Sequence, residues 1–178
     1  MATPPHVGER LAAFYGRDGR LTDAREWADT IAAAVRAETG WAPEESDMCT
    51  AADGPHAVEF AADSRSYGCV LDPLVAVFPR GRPGMVRSET PAGREVAIET
   101  GTERATATPA SAVVSLGVGD TGREPTLEAA YGQLCAYTRV FTSSEAYERW
   151  DAEAEAGTTS LSVGEAVALA RELVDAPG

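Results

Sequence analysis

The chain has 178 residues, enough for one domain with a core of its own, and carries 28 acidic against 15 basic residues for a net charge of −13. Every basic residue other than histidine is arginine, because the sequence contains no lysine. Such a surface repels phosphate backbones and anionic lipid, which excludes nucleic acid and membrane surfaces as partners and fits a protein kept soluble in concentrated salt, a halophile-like composition.

No apolar run approaches the length that spans a bilayer, and the start, MATPPHVGER, has neither the basic head nor the apolar core of a signal peptide, so a cytoplasmic location is expected. The three cysteines, Cys49, Cys69 and Cys135, are odd in number and widely spread, which points to free thiols rather than a disulfide framework.

In chain order, residues 1–21 mix Pro, Gly and charge without periodicity and read as a loose arm. Asp23 and Glu26 form a capping box, Trp27, Ile31 and Val35 recur every four residues, and Gly40 ends the pattern, so the spacing predicts an amphipathic helix over 23–39. Residues 41–55 are loop-like, and Val58 and Phe60 suggest a strand. The segment SYGCVLDPLVAVF, 66–78, sets Cys69 and Asp72 three residues apart at the front of an apolar run. On a helix this spacing puts thiol and carboxyl on one side, with the thiolate favoured at the N-terminal end. The structural alternative is a buried cysteine followed by an Asp72 N-cap, with Pro73 in the first helical position.

After the PRGRPG turn, MVRSET, REVAIET and SAVVSL alternate as strands of a small, mostly antiparallel sheet. GVGDTG, 117–122, has the glycine pattern of a dinucleotide-binding turn, but Arg123, Glu124 and Pro125 interrupt where a helix should begin, so it is expected to be a sheet-edge loop. Residues 126–134 suggest one or two helical turns. In CAYTRVFT, Tyr137, Arg139 and Phe141 alternate as a strand that Cys135 opens. Thr142 with Glu145, and Ser162 with Glu165, each cap a C-terminal helix. The class is α+β, divided at 1–45 (arm and amphipathic helix) and 46–178 (core). His6 and His56 read as exposed loop residues, and neither has the spacing of a catalytic base. Cys49 has no partner pattern and is given no role, and Cys135 taken alone is a small core residue.

Read together, GCVLDPLVAVF at 68–78 and CAYTRVFTSSEAYERW at 135–150 resemble the two cysteine segments of the organomercurial (alkylmercury) lyase family. SLSVGEAVALARELV at 160–174 is similar to its closing helix, and PAGREVAIET at 91–100 to its intervening strand. The resemblance covers roughly 56–175 in order, with the two cysteines 66 positions apart. It implies an alkylmercury-lyase-like core with a shortened N-terminal helical region. Cys69 and Cys135 would be the mercury-binding cysteines and Asp72 the acid that protonates carbon, in a partly dry pocket that raises its pKa. It implies no organic cofactor, organomercurials as substrates, and small thiols or a mercuric reductase as acceptors of Hg(II). Gly68 stands where a bulky residue is common, which predicts a more open pocket, and Thr90 and Ala136 fall near places that can carry further cysteines. Two other readings use the same thiols: a non-catalytic carrier of Hg(II) or Cu(I), and a redox protein that closes a Cys69–Cys135 disulfide.

Overall fold

The computed structural model describes residues 2–40, 48–61, 63–79, 81, 83–101, 105–119, 121–122 and 126–175. The loop expected over 41–47 and the interrupting residues 123–125 lie outside them.

Two helices open the chain: α1 (Pro5–Phe14) and α2 (Ala24–Thr39). The first is a difference from the expected loose arm. Pro5 sits at the first helical position, where its missing N–H costs nothing, and Val7, Leu11, Ala12 and Phe14 are buried. Gly8 hid the pattern from the sequence and is required by the packing, because a Cβ there would collide with the Leu21 carbonyl oxygen. Helix α2 starts and stops as its capping signals predict. The Asp23 carboxylate accepts from Glu26 N–H at 2.9 Å, and Gly40 closes the helix at φ 86°.

A five-stranded antiparallel sheet follows, in the order β2-β1-β3-β4-β5, made of β1 (His56–Glu59), β2 (Ser64–Tyr67), β3 (Gly84–Glu89), β4 (Glu95–Thr100) and β5 (Ala105–Thr108). The short helix α3 (Leu71–Val75) leaves β2 after a three-residue turn. A second antiparallel sheet, β7-β6-β8, is built on β6 (Val113–Val118), with β7 (Val140–Phe141) and β8 (Gly157–Ser162) on either side. Between its strands lie α4 (Leu127–Gln133) and α5 (Ser144–Asp151), and α6 (Val163–Asp175) ends the described chain. The class is α+β, as expected.

Helix α6 packs on α2 and α3, and α1 packs on β6 and β8, so one hydrophobic cluster runs from Val7 in α1 to Ala170 in α6. Truncating Leu11, which is fully buried, to alanine is therefore expected to cost about 2–5 kcal/mol in urea unfolding. An unchanged midpoint would mean that α1 is not part of the core.

Several local expectations shift. The cap of α5 is Ser143, whose hydroxyl accepts from Ala146 N–H at 3.3 Å, rather than Thr142. The Ser162–Glu165 box forms as expected, each side chain accepting from the other's backbone N–H. His56 is not exposed. It is buried on β1, with neither ring nitrogen hydrogen-bonded, and burial, then nearby Arg139, push its pKa down to about 4. His6 lies on α1 and its Nε2 meets the Thr158 carbonyl at 3.1 Å. Among the described residues of GVGDTG no helix begins; Gly117 and Val118 finish β6. The glycines let the segment after α4 close onto the strand, since a Cβ on Gly117 would lie 2.8 Å from Tyr137 Cβ, and one on Gly119 2.5 Å from the Tyr137 ring.

Candidate metal-thiol site

Three separate stretches of chain deliver the cysteines. Cys69 occupies the turn between β2 and α3 and is 3% exposed. Cys135 opens a single 3₁₀ turn, Cys135–Tyr137, directly after α4; the strand expected to start there is reduced to Val140–Phe141. Ser115 on β6 anchors this turn from below. Its hydroxyl donates to the Tyr137 carbonyl at 2.8 Å and accepts from Arg139 N–H at 2.9 Å.

Cys49 is the third, and the sequence had given it no role. Residues 49–51 run beside β2 as a strand-like strip, with Thr50 bridged to Tyr67, Ala51 N–H donating to the Ser66 carbonyl at 3.0 Å, and Gly68 N–H donating to the Cys49 carbonyl at 2.8 Å. This pairing lays the Cys49 thiol against Gly68. The space of a side chain at 68 is therefore filled by sulfur rather than left open: a Cβ on Gly68 would lie 2.8 Å from Cys49 Sγ.

Asp72 meets the same point from α3. The helix begins at Leu71 with Val70 as its cap, so Asp72 is a first-turn residue and not the N-cap that Pro73 suggested. Its carboxylate accepts from Cys49 N–H at 2.9 Å. Pro73 follows it in the first turn, where a missing N–H is tolerated.

The Cys49 and Cys135 sulfurs and an Asp72 carboxylate oxygen lie within 4.8 Å of one another, the one such group of potential metal ligands among the described residues. Cys69 stands outside that trio but joins it through Cys135, whose thiol is close enough to those of both Cys49 and Cys69 to interact with them. All four residues picked out by this geometry are thus in one place, and three of them were picked out by the sequence. Burial, and then the nearby Cys135, push Tyr15, the residue that caps the end of α1, above its usual range, so the N-terminal segment borders the site. Thr90 and Ala136 instead line an open cavity of about 700 Å³ with Arg139 and Trp150, and none of the cysteines is in its lining.

The electrostatics separate the Cys49 and Cys135 thiols. The neighbouring Cys135 thiol pulls Cys49 down to about 6, an effect that burial opposes and the Gly68 N–H reinforces. Cys135 is pushed far up by its bonds to Cys49 and Cys69 and then by burial, so it keeps its proton. Burial pushes Asp72 up to about 7, with the Cys49 N–H opposing and the Cys49 charge adding to the rise. One thiolate, one protonated thiol and a carboxyl that is half-protonated near neutrality are therefore adjacent. Thiolates select soft metal ions, and the carboxyl can both take and give a proton at neutral pH.

A profile of the MerB family, alkylmercury lyase, matches residues 49–175, which spans all three cysteines and Asp72. This chain belongs to the alkylmercury lyase family. Its fold is also similar to the crystal structure of the mercury-bound form of MerB2, with a TM-score of 0.58 at 12% identity, over 97% of this chain and 98% of that one. That likeness takes in the two N-terminal helices as well as the core. A comparison with curated proteins finds no matching sequence.

Proposed function

We propose that this member of the family is an organomercurial lyase, which converts R–Hg⁺ and a proton to RH and Hg(II). The observation that carries the reading is the contact of a half-buried carboxyl, Asp72, with a cluster of thiols inside a chain matched by the alkylmercury lyase profile.

In this reading Cys69 and Cys135 hold the metal and Asp72 moves the proton. Cys69 first exchanges with the small thiol that carries R–Hg in solution; a Cys69–mercury bond forms, and the departing thiol leaves with the Cys69 proton. Cys135 then adds to the same mercury, and its S–H proton passes to the Asp72 carboxylate. Two sulfur donors push electron density towards carbon, and the electron pair of the carbon–mercury bond takes the proton from Asp72. The hydrocarbon leaves, Asp72 is again a carboxylate, and Hg(II) remains on two thiolates. No organic cofactor enters these steps. Small thiols, or a mercuric reductase in the cytoplasm, would remove the product and complete a detoxification route.

The test is headspace gas chromatography for methane or benzene after the purified protein, in high salt with excess thiol, meets methylmercury or phenylmercury. Hydrocarbon is expected from the wild type and not from Cys69→Ala. A folded wild type that takes up Hg(II) but releases no hydrocarbon would leave the metal-carrier reading in its place.

A further inference from the structure

We propose that Cys49 is a third mercury ligand, so that the Hg(II) left by bond cleavage is held by three sulfurs, those of Cys49, Cys69 and Cys135. The inference rests on the lyase reading for its metal, but on independent geometry for the added ligand.

The first observation is the position of Cys49. Its backbone is fixed to β2 by the Gly68 and Ala51 hydrogen bonds, and its N–H is held by the Asp72 carboxylate. A thiol carried by a loop pinned on both sides is placed by the fold rather than left to wander.

The second is the spacing of the donors. Two sulfurs bound to one ion at roughly 2.3 Å each, the distance found for zinc, are at most about 4.6 Å apart, and a larger ion reaches farther. Cys49 and Cys135 sulfurs already lie within 4.8 Å, together with the Asp72 oxygen. Cys135 interacts with the Cys69 thiol as well as with that of Cys49, so a soft ion that displaces its proton meets sulfur from both.

The third is Gly68. Any side chain there would collide with Cys49 Sγ, the nearest heavy atom to the missing Cβ at 2.8 Å. Glycine directly before Cys69 is thus the counterpart of cysteine at 49: one leaves out the atoms whose place the other's sulfur takes. A space of that size needs no thiol for packing alone, whereas a thiol beside two others adds a donor for a thiophilic ion. The chemical consequence is tighter retention of a product that a two-thiolate site would surrender more easily to a single small thiol.

The experiment loads the full chain with mercuric chloride alone, at one equivalent under reducing conditions, and reads the mercury–sulfur coordination number by X-ray absorption. Three sulfurs are expected in the wild type and two in Cys49→Ser, with faster loss of mercury from the variant to excess dithiol. Gly68→Ala should shift the number the same way, because its methyl takes the place of the Cys49 sulfur; it reads the same contact should Cys49→Ser unfold. Two sulfurs in the wild type, or three in Cys49→Ser, would overturn the proposal. Neither result touches the hydrocarbon assay, so a lyase with a two-sulfur product and a three-sulfur site without turnover are told apart.

Discussion

Asp72→Asn is expected to lower hydrocarbon release from phenylmercury by roughly 10²–10⁴-fold, the usual worth of a positioned general acid. Hg(II) uptake should remain stoichiometric. The amide has nearly the shape of the carboxyl, and its oxygen can still accept from Cys49 N–H, the bond that fixes residues 49–51 at the site. What it cannot do is receive the Cys135 proton and hand it to carbon. Turnover within a few-fold of wild type would remove Asp72 from the proton path and leave the thiols to act with solvent.

The same substitution has a signature in the metal-free protein. Asp72 is raised from 3.8 to about 7 on folding, so between those values the native state holds a proton that the unfolded chain has lost. Stability from this group therefore falls as pH rises through that window, by at most about 1.4 kcal/mol per pH unit, and is level above it. Two neighbours slope the other way. His56, lowered from 6.5 to about 4, adds stability as pH rises between those values, and Cys49, lowered from 9.0 to about 6, does so between 6 and 9. His56 acts equally in both proteins and cancels in the difference, while Cys49, freed of the Asp72 charge, only adds to the variant's gain. Urea unfolding of reduced wild type and Asp72→Asn should thus show the variant gaining on the wild type from pH 4 to pH 7 and holding its advantage above. A difference that does not change with pH would mean that Asp72 titrates as an ordinary surface carboxyl.

The parts of this structure that could be read from sequence are the ones whose determinants are local. The Asp23–Glu26 and Ser162–Glu165 caps are pairs three residues apart that bond each other's backbone, and both helices begin where those residues say. Cys69 and Asp72 belong to the same class, since three residues in a tight turn stay near each other whatever the rest of the chain does. Strands β5 and β8 escaped because ATAT and GTTSLS carry almost no large apolar residue; β5 pairs only with β4, and β8 is a strand because β6 offers it a ladder. His56 looked like a loop residue after Gly54 and Pro55, yet it lies between Tyr67 and Ser88 in the middle of the sheet. Cys49 was illegible for the same reason, being brought to the site by pairing with β2. The one trace of it in sequence is indirect: a glycine before Cys69, read as an opening in the pocket and occupied in the structure by the Cys49 sulfur.

Cys135→Ser is expected to abolish hydrocarbon release and to weaken the retention of mercury together, which separates it from Asp72→Asn. The residue is the hub of the cluster, interacting with the thiols of Cys49 and Cys69 at once. Serine fits the same space and keeps hydrogen bonds to either neighbour, so thermal unfolding should change little; a hydroxyl oxygen is a poor ligand for a soft ion. Protons provide a second readout. Because Cys135 holds its proton well above neutral pH, mercury can bind there only by expelling it, whereas Cys49, lowered to about 6, is mostly a thiolate at pH 7.5 and releases little. Titration of Hg(II) into weakly buffered protein at that pH should release about one proton fewer from Cys135→Ser than from the wild type. Equal proton release, with mercury still retained against excess small thiol, would show that the metal never reaches Cys135, and the proton that breaks the carbon–mercury bond would then have to come from elsewhere.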